Sequence, residues 1–448
     1  MTPFKINKLS MSGFTFPAMP LAGFLQSKYI LLMPLYAITM GLDAKAIAGI
    51  FFTTKMFDVV TDPVFGILSD RYETPWGRRR PWLVIGTLIL MLAIYMLFIP
   101  TGQVGQGYLF GWLVVVYVGW TLTTVSHTAW ALELSSDYDQ RTNVTGWLQV
   151  SAMIGMMLVA LTPAVMEQLG SPTHAEKVAA VGWMLIVLLP IAVFVCLRSL
   201  PEPSTPPPSH IGFRRALAIV AGNWALLRLL AANAAITAAY AVVQSLFVFY
   251  VTYTLLLGDR TGFTLFFLMV GGMVFIPVWV NLAKRISKHA TMQLAVLYGM
   301  FVPVLLLFLP PEKLWLTAFA FLFVGAITSA HELLPRTMMA DVCDHDQAAS
   351  GNERMGLYYS LLQLSSKLAA GLMASGIYLA LSWIGFDPNA GGENSQSMID
   401  NVRYLIVFTP IAAYLLVLLL MWKYPIDRDR QEELRRIIDE RTDASTTR

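Results

Sequence analysis

Runs of about 20 consecutive apolar residues recur along almost the whole chain, and this is the length that an α-helix needs to cross a bilayer core. A soluble protein of 448 residues would be expected to form about three domains. Here 56% of the residues are apolar, 13% are charged and the mean hydropathy is +0.61, which indicates a polytopic membrane protein of the all-α class. Twelve spans are predicted, at 16–40, 46–69, 82–100, 107–134, 143–167, 178–200, 228–257, 262–283, 290–310, 313–341, 355–384 and 402–424.

A proline-rich segment divides these predicted helices into two sets of six. It occupies residues 201–215, PEPSTPPPSHIGFRR, whose prolines prevent a helix from continuing. We therefore expect a six-helix bundle over 1–200, a cytoplasmic linker over 201–215, a second bundle over 216–424 and a charged tail over 425–448.

The distribution of basic residues predicts the orientation. Of the 31 lysines and arginines, 22 fall on the side that carries both chain ends and five on the other side. Loops rich in these residues stay in the cytoplasm, so both termini are expected there, in the inner (plasma) membrane of a cell. The net charge of +3 is too small to indicate a nucleic-acid partner, and Cys196 and Cys343 are expected to be free thiols.

Two carboxylates interrupt the second apolar run. Asp58 and Asp62 are four residues apart, which places both on one face of an α-helix, about 6 Å apart along its axis. An ionised carboxylate costs roughly 3 kcal/mol at the bilayer centre, so it normally faces a bundle interior or a water-filled cavity. We therefore predict a cation site, with the Thr61 hydroxyl as a further oxygen ligand. The alternative is that both acids only pair with Lys55.

Three segments of the chain carry a family resemblance. The first reads DVVTDPVFG and continues to DR and GRRRPW, the second reads ELSSDYDQRT, and the third reads LPRTMMADVCDHD followed by SGNERMG. They resemble the glycoside-pentoside-hexuronide:cation symporters, the melibiose-carrier-like branch of the major facilitator superfamily. The resemblance implies a major facilitator fold with two six-helix bundles, and symport of a sugar, glycoside or hexuronide with Na⁺ or H⁺.

The resemblance also implies roles for two residues far from the aspartates. Thr121 matches a threonine of helix four that joins the two acids at the cation. Lys367 matches a lysine of helix eleven that lies toward the same site. We therefore expect Lys367 to pair with Asp58 or Asp62 across the bundles and to respond when a cation binds.

The positions that would hold a sugar depart from the family pattern. Acidic residues of helices one and four are matched by Ala22 and by Thr124 or Ser126, and an arginine of helix five is matched by Gln149. Galactoside recognition of that type is therefore not expected.

Buried basic and aromatic residues suggest a different substrate. Lys28, Lys55 and His127 favour an acidic substrate such as a hexuronide, although a lysine also donates to neutral sugar hydroxyls. His127 is interpreted first as a hydrogen-bonded interior histidine, with a titrating role left open, and Trp130 is either a packing residue or a flat platform for a sugar. Glu332 could pair with Lys28 or Lys55, or take a proton. The residues predicted for the substrate or its coupling are Lys28, Lys55, Thr124, His127, Trp130, Gln149, Glu332 and Lys367.

Charged residues near the cytoplasmic helix ends are predicted to join the two halves by ion pairs and so to close the inward gate. The predicted gate consists of Asp70, Arg71, Glu133, Asp137, Arg141, Asp341 and Arg354. His345 lies beside three aspartates, but in a predicted solvated loop with no second cluster, so no metal site is expected there.

These patterns favour secondary active transport over other classes of function. We find no nucleophile–base pair, phosphate loop or metal-ligand set at a usable spacing, so an enzyme is not expected. A monomer with no cofactor other than its coupling ion is predicted to carry a small molecule, most simply a carbohydrate, across the lipid bilayer. An organic acid or a lysolipid is the alternative cargo, and a transport-inactive sensor is the alternative outside transport. A carboxylate pair suits Na⁺ and H⁺ alike.

Overall fold

The computed structural model of the protein describes residues 8–71, 74–102, 104–134, 138–170, 172–202, 220–350, 354–387, 394–426, 433, 434 and 436. Twelve long helices follow one another in the part of the chain described. They are α1 (Leu9–Thr39), α2 (Ala44–Arg71), α3 (Arg80–Phe98), α4 (Gln106–Glu133), α5 (Tyr138–Leu169), α6 (His174–Ser199), α7 (Trp224–Thr254), α8 (Thr261–Ile286), α9 (Lys288–Phe308), α10 (Leu314–Ser350), α11 (Met355–Trp383) and α12 (Gln396–Met421).

Eleven spans within the described residues are long and apolar enough to cross a membrane. The remaining helix, α2, is 28 residues long but interrupts its apolar sequence with Lys55, Asp58 and Asp62. It packs against both α4 and α11, so it lies among the spanning helices. The predicted all-α, polytopic fold class is confirmed.

The largest difference from the predicted helix bounds is at the end of α10. The sequence predicted a span ending at 341 and a solvated loop after it, but α10 continues to Ser350. No glycine or proline occurs from Arg336 to Ser350, and the alanines and methionines there favour helix. The loop prediction for His345 is therefore wrong, because His345 lies on α10.

Close helix pairs fix the arrangement of the two halves of the chain. In the first half α3 packs on α4 and α1 on α5, and in the second α8 packs on α10 and α7 on α12. Gly155 of α5 faces the backbone of Met19 on α1 so closely that a Cβ there would collide with it, which is how small residues allow helices to approach in a membrane. The most extensive contacts between the halves are those of α2 with α11 and of α5 with α8, and α1 also contacts α7. The candidate site lies at the first of these.

Candidate functional site

The two aspartates of α2 point into the contact between α2, α4 and α11. Asp58 is fully buried and the side chain of Asp62 is 27% exposed. The helical spacing of four residues brings both to one face, as the sequence predicted, and that face meets Thr121 of α4 and Lys367 of α11. The pair is thus enclosed by helices from both halves of the chain.

Thr121 lies between the two carboxylates. Its hydroxyl oxygen is 2.9 Å from Oδ1 of Asp62 and 3.2 Å from Oδ1 of Asp58. A hydroxyl has one proton and two acceptor lone pairs, so Thr121 donates to one carboxylate at a time and keeps lone pairs for a cation. Three oxygens on two helices therefore converge on one point.

Two lysines neutralise the same carboxylates. Lys55 Nζ lies 2.7 Å from Oδ2 of Asp58, as in the simpler alternative considered from the sequence. Lys367 Nζ contacts Oδ2 of Asp62 and lies 3.3 Å from Oδ2 of Asp58. Lys367 belongs to the second half of the chain, so this ion pair joins the halves. One turn after it, Gly371 approaches the Lys55 side chain so closely that a Cβ would collide with it.

This geometry sets a competition between Lys367 and a cation. The ammonium occupies the space beside both Oδ2 atoms, while the Oδ1 atoms and the Thr121 oxygen face each other. Ion pairing inside a protein offsets the desolvation of both partners only while the pair is intact. A cation that binds between the carboxylates weakens their attraction for the Lys367 ammonium, and removal of the ammonium strengthens their attraction for a cation.

Two hydroxyls predicted to face the site are bonded to their own helices instead. Thr61 donates to the Phe57 carbonyl at 3.0 Å, and Thr124 donates to the Trp120 carbonyl at 2.8 Å. Threonine hydroxyls in helices commonly bond to the preceding turn in this way. The structure thus brings Thr121, and not Thr61, to the carboxylates.

His127 and Trp130 lie in the packed interior near α1. Nε2 of His127 is 2.9 Å from the Phe14 carbonyl oxygen, and Trp130 is 0% exposed with its ring edge-on to that of Phe14 at 5.2 Å. A platform for a sugar must present an open face, so the platform interpretation of Trp130 is wrong for this structure. His127 has the geometry of a hydrogen-bonded interior histidine.

Glu332 pairs with an arginine of its own helix. Its Oε2 is 2.7 Å from Arg336 Nη2, one turn further along α10, so it pairs with neither Lys28 nor Lys55 in this structure. The other alternative, that Glu332 takes a proton, stays a prediction. The Arg336 guanidinium also donates to Oε1 of Gln149 on α5. Gln149 and Glu332 are therefore brought together by Arg336 across the two halves.

Two of the predicted gate residues form ion pairs within the second half of the chain. Asp341 accepts from Lys288 Nζ at 2.6 Å, and Arg354 pairs with Asp346 at 3.1 Å. The side chains of the other five predicted gate residues lie outside the described part of the structure: Asp70, Arg71, Glu133, Asp137 and Arg141. Closure of an inward gate by these residues stays a prediction.

A buried ion pair at the opposite end of the molecule was missed. Glu167, near the end of α5, lies 2.6 Å from Lys177 Nζ near the start of α6, and both side chains are at most 2% exposed. The Glu167 carboxylate also accepts from the backbone amides of Gly262 at 2.6 Å and Phe263 at 2.8 Å, in the first turn of α8. An acid near one helix end and a lysine near the next helix start were visible in the sequence, but their contact with α8 was not.

A polar cluster between α1 and α7 was also missed. Oε1 of Gln26 accepts from Gln244 Nε2 at 2.8 Å and from the Tyr240 hydroxyl at 3.2 Å. Glutamines and a tyrosine within apolar runs are weak signals, because each alone satisfies packing as readily as binding.

Thr121→Val should raise the half-saturating concentration of the coupling cation about tenfold, because the variant loses an oxygen that the structure holds between the carboxylates. Thr123→Val is the matched control, since the Thr123 hydroxyl is also buried but donates to the Gly119 carbonyl of its own helix at 2.7 Å. Cation titration of substrate uptake by reconstituted protein measures both. Equal shifts in the two variants would contradict a role for Thr121 at the cation.

The twelve described helices define a polytopic membrane protein, and the ion pair of Lys367 with Asp62 and Asp58 joins their two halves. Solved structures of transporters share this fold: the nucleoside transporter NupG has a TM-score of 0.64 at 11% identity, covering 93% of this chain and 100% of that chain. A bacterial homologue of the human lysosomal transporter Spinster has a TM-score of 0.65 at 11% identity, covering 96% of each chain.

The family model described as MFS/sugar transport protein matches residues 13–428. The chain therefore belongs to this family of the major facilitator superfamily, and it is a secondary symporter and not an enzyme. It is 25% identical over 442 residues to the human (Homo sapiens) sodium-dependent lysophosphatidylcholine symporter 1, covering 89% of this chain and 79% of that one. It is 22% identical over 431 residues to the uncharacterised symporter YjmB of Bacillus subtilis (strain 168), covering 90% and 89%.

Proposed function

We propose that the protein couples the movement of Na⁺ or H⁺ through the Asp58–Asp62 pair to symport of a sugar, glycoside or hexuronide across the inner (plasma) membrane of a cell. The observation that supports this most is the contact of Lys367 with both carboxylates. This contact lies between two halves that move relative to each other in alternating access, and cation binding at the carboxylates would weaken it. Occupancy of the carboxylates thereby biases the position of α11 against α2.

The empty and loaded states of the site differ in which positive charge the carboxylates hold. Without a coupling ion, Lys367 neutralises Asp62 and Asp58 and keeps α2 and α11 together. With Na⁺ or a proton on the carboxylates, the ammonium loses most of its attraction, and the two helices are free to separate. The same carboxylates then bind the ion from one side of the membrane and release it to the other.

The carbohydrate assignment rests on the family description, sugar transport, and on the resemblance of three sequence segments to glycoside and hexuronide symporters. A second candidate cargo, a lysolipid, is favoured by one specific observation. The human relative with 25% identity is named as a sodium-dependent lysophosphatidylcholine symporter.

Uptake into proteoliposomes under an imposed gradient tests the function and separates these cargoes. A panel of neutral glycosides, hexuronides, organic acids and lysophosphatidylcholine is offered with an inward Na⁺ gradient, an inward H⁺ gradient or neither. We expect uphill accumulation of a carbohydrate with one of the two gradients. Accumulation of lysophosphatidylcholine alone would select the second candidate, and uptake that ignores both gradients would refute the coupling.

Lys367→Ala should tighten cation binding and slow coupled transport. The variant leaves Asp62 without its ammonium partner, so a cation gains what the lysine supplied, worth about 1.5–3 kcal/mol for one charged hydrogen bond, or roughly ten- to hundredfold in affinity. Cation titration of purified protein and uphill uptake measure the two effects. Lys313→Ala, at an exposed lysine just before α10, is the control. Weaker cation binding in Lys367→Ala would contradict the competition.

A further inference from the structure

Lys28 is a deeply buried lysine that no carboxylate of the described residues contacts. It is 1% exposed, and its ammonium donates one hydrogen bond, to the Tyr117 hydroxyl of α4 at 2.9 Å. An ammonium has three N–H donors, and the remaining surroundings of this one are the ring faces of Tyr29 at 4.5 Å and Tyr117 at 4.8 Å. Aromatic faces compensate part of the lost hydration of an ammonium, but less than a carboxylate does.

The backbone around Lys28 is also unusual. Lys28 is the first residue of a π-helical turn, Lys28–Leu32, within α1. Such turns are rare and occur frequently at functional sites, where the extra residue per turn redirects a side chain. Two residues earlier, Gln26 is engaged with Tyr240 and Gln244 of the second half of the chain. This part of α1 thus presents polar groups both to α4 and to the other half.

Lys28 belongs to a charge cluster that is unbalanced. Lys55 lies over the same Tyr117 ring, at 5.4 Å, and pairs with Asp58, while Lys367 pairs with Asp62 and Asp58. In their ordinary ionised forms, these three lysines and two aspartates carry one excess positive charge. A coupling cation adds another. Excess charge in a buried site is costly, and an anion that arrives with the cation removes part of that cost.

We infer that the transported substrate carries an anionic group, a carboxylate or a phosphate, and that Lys28 is the residue on α1 that binds it. The inference rests on the proposed function and narrows its substrate to acidic molecules. Lys28 is the one lysine of the cluster without an acidic partner among the described residues, so it can accept an anion without first breaking an ion pair. The Tyr117 hydroxyl holds its ammonium in place until the anion binds.

Matched pairs of probes test the inference, each pair differing in one negative charge. The sugar pair is 4-nitrophenyl β-glucuronide and 4-nitrophenyl β-glucoside. The lipid pair is oleoyl lysophosphatidylglycerol and monooleoylglycerol. Uptake of each is measured in proteoliposomes under the gradient that drives transport. We expect the protein to prefer the charged member of one pair, and which pair it accepts distinguishes a sugar acid from a lipid phosphate.

Three variants separate anion binding from a structural role. In Lys28→Gln the preference for the charged probe should fall about tenfold or more, the effect of one lost charged hydrogen bond, and Lys28→Arg should restore it. Tyr117→Phe keeps the charge and removes its hydrogen-bond acceptor, so the preference should remain. The cation concentration for half-maximal uptake is the further readout. A fall in cation affinity with an unchanged preference in Lys28→Gln would assign Lys28 to the cation site and overturn the inference.

The remaining outcomes either support or refute the inference. Gradient-driven uptake of a neutral probe as good as that of its charged partner refutes the inference and leaves the proposed function intact. If none of the four probes is taken up while the wider panel contains a neutral substrate that is, the inference alone is refuted; if no member of the wider panel is taken up under either gradient, both are refuted. If Lys28→Gln does not fold, as judged by size-exclusion chromatography, Lys28→Arg and Tyr117→Phe still decide the matter, because both must keep the preference for the charged probe.

Discussion

Proteoliposomes that contain Asp62→Asn should lose gradient-driven accumulation of substrate while the variant remains folded. The amide keeps the shape of the side chain but removes the charge that holds the coupling cation. One charged contact is worth about 1.5–3 kcal/mol, so cation affinity should fall roughly ten- to hundredfold. The variant should remain folded because the Asp62 side chain is 27% exposed, so water can solvate part of the Lys367 ammonium when the carboxylate is lost. Uptake under an imposed gradient, with the internal and external concentrations measured at steady state, shows the loss directly.

Asp58→Asn should abolish accumulation as well, and it should also destabilise the protein. Asp58 is fully buried and contacts two ammonium groups, Lys55 and Lys367. Removal of one partner of a buried ion pair leaves an uncompensated charge, at a cost of about 3 kcal/mol or more. A lower midpoint of thermal unfolding in detergent, relative to Asp62→Asn, is the expected signature.

Asp43→Asn serves as the control for both variants. Asp43 is exposed just before α2, where its side chain accepts from the Ala46 amide at 3.2 Å, and asparagine caps a helix as well as aspartate does. This variant should accumulate substrate normally. If Asp58→Asn and Asp62→Asn also transport uphill at normal levels, the coupling ion binds elsewhere.

The fold and the aspartate pair of the site could be predicted because each depends on a strong local signal in the sequence. An apolar run of about 20 residues has few alternatives to a spanning helix, and two acids four residues apart within such a run must share a face. The partner residues Thr121 and Lys367 are far away in sequence, and only the family resemblance indicated them. The structure places both within hydrogen-bonding distance of the carboxylates.

The differences from the predicted site share a physical cause, since each depends on which way a side chain points. Thr61 is of the right chemical type for the predicted role, and for Trp130 the structure matches the packing alternative and not the sugar platform. A hydroxyl in a helix can bond to its own backbone as easily as to a neighbour, and a tryptophan can be packed from both faces. Glu332 pairs with Arg336, one turn along its own helix. Two residues four apart on one helix are already neighbours, so their pairing loses less conformational entropy than a pairing with a distant residue. The periodicity of the sequence does not indicate any of these side-chain orientations.

The pairing of α5 with α8 leads to the second large effect, at the end of the molecule that the basic residues predict to be extracytoplasmic. Gly262 in the first turn of α8 faces the backbone of α5, where a Cβ would lie 2.6 Å from the Ala164 nitrogen and 2.6 Å from the Pro163 carbonyl carbon. Backbone atoms within a helix have little freedom to move aside. Gly262→Ala should therefore force α8 away from α5 and weaken the bonds from the Glu167 carboxylate to the Gly262 and Phe263 amides.

The contact of α5 with α8 is expected in only one conformation of the transport cycle. The contact joins the two halves, so in alternating access it must exist only while this end is closed. Gly262→Ala should thus leave the open state unstrained and shift the population toward it, with transport falling at least about tenfold, since a shift of about 1.4 kcal/mol changes the ratio of states tenfold. Gly376→Ala, on a helical surface with nothing within 4 Å of the added Cβ, should transport normally.

A cysteine at Leu265 reports the opening itself. Leu265 is buried, and it lies three residues after Gly262 on the same face of α8, one turn deeper. With Cys196 and Cys343 replaced by alanine, a maleimide should label Leu265→Cys slowly in the parent and several times faster with Gly262→Ala, at similar rates with Gly376→Ala. Glu167→Gln should accelerate labelling too, because it leaves Lys177 buried without its carboxylate partner. If neither Gly262→Ala nor Glu167→Gln changes the labelling rate, the contact of α5 with α8 is not the closure at this end, and the two halves must separate along another surface.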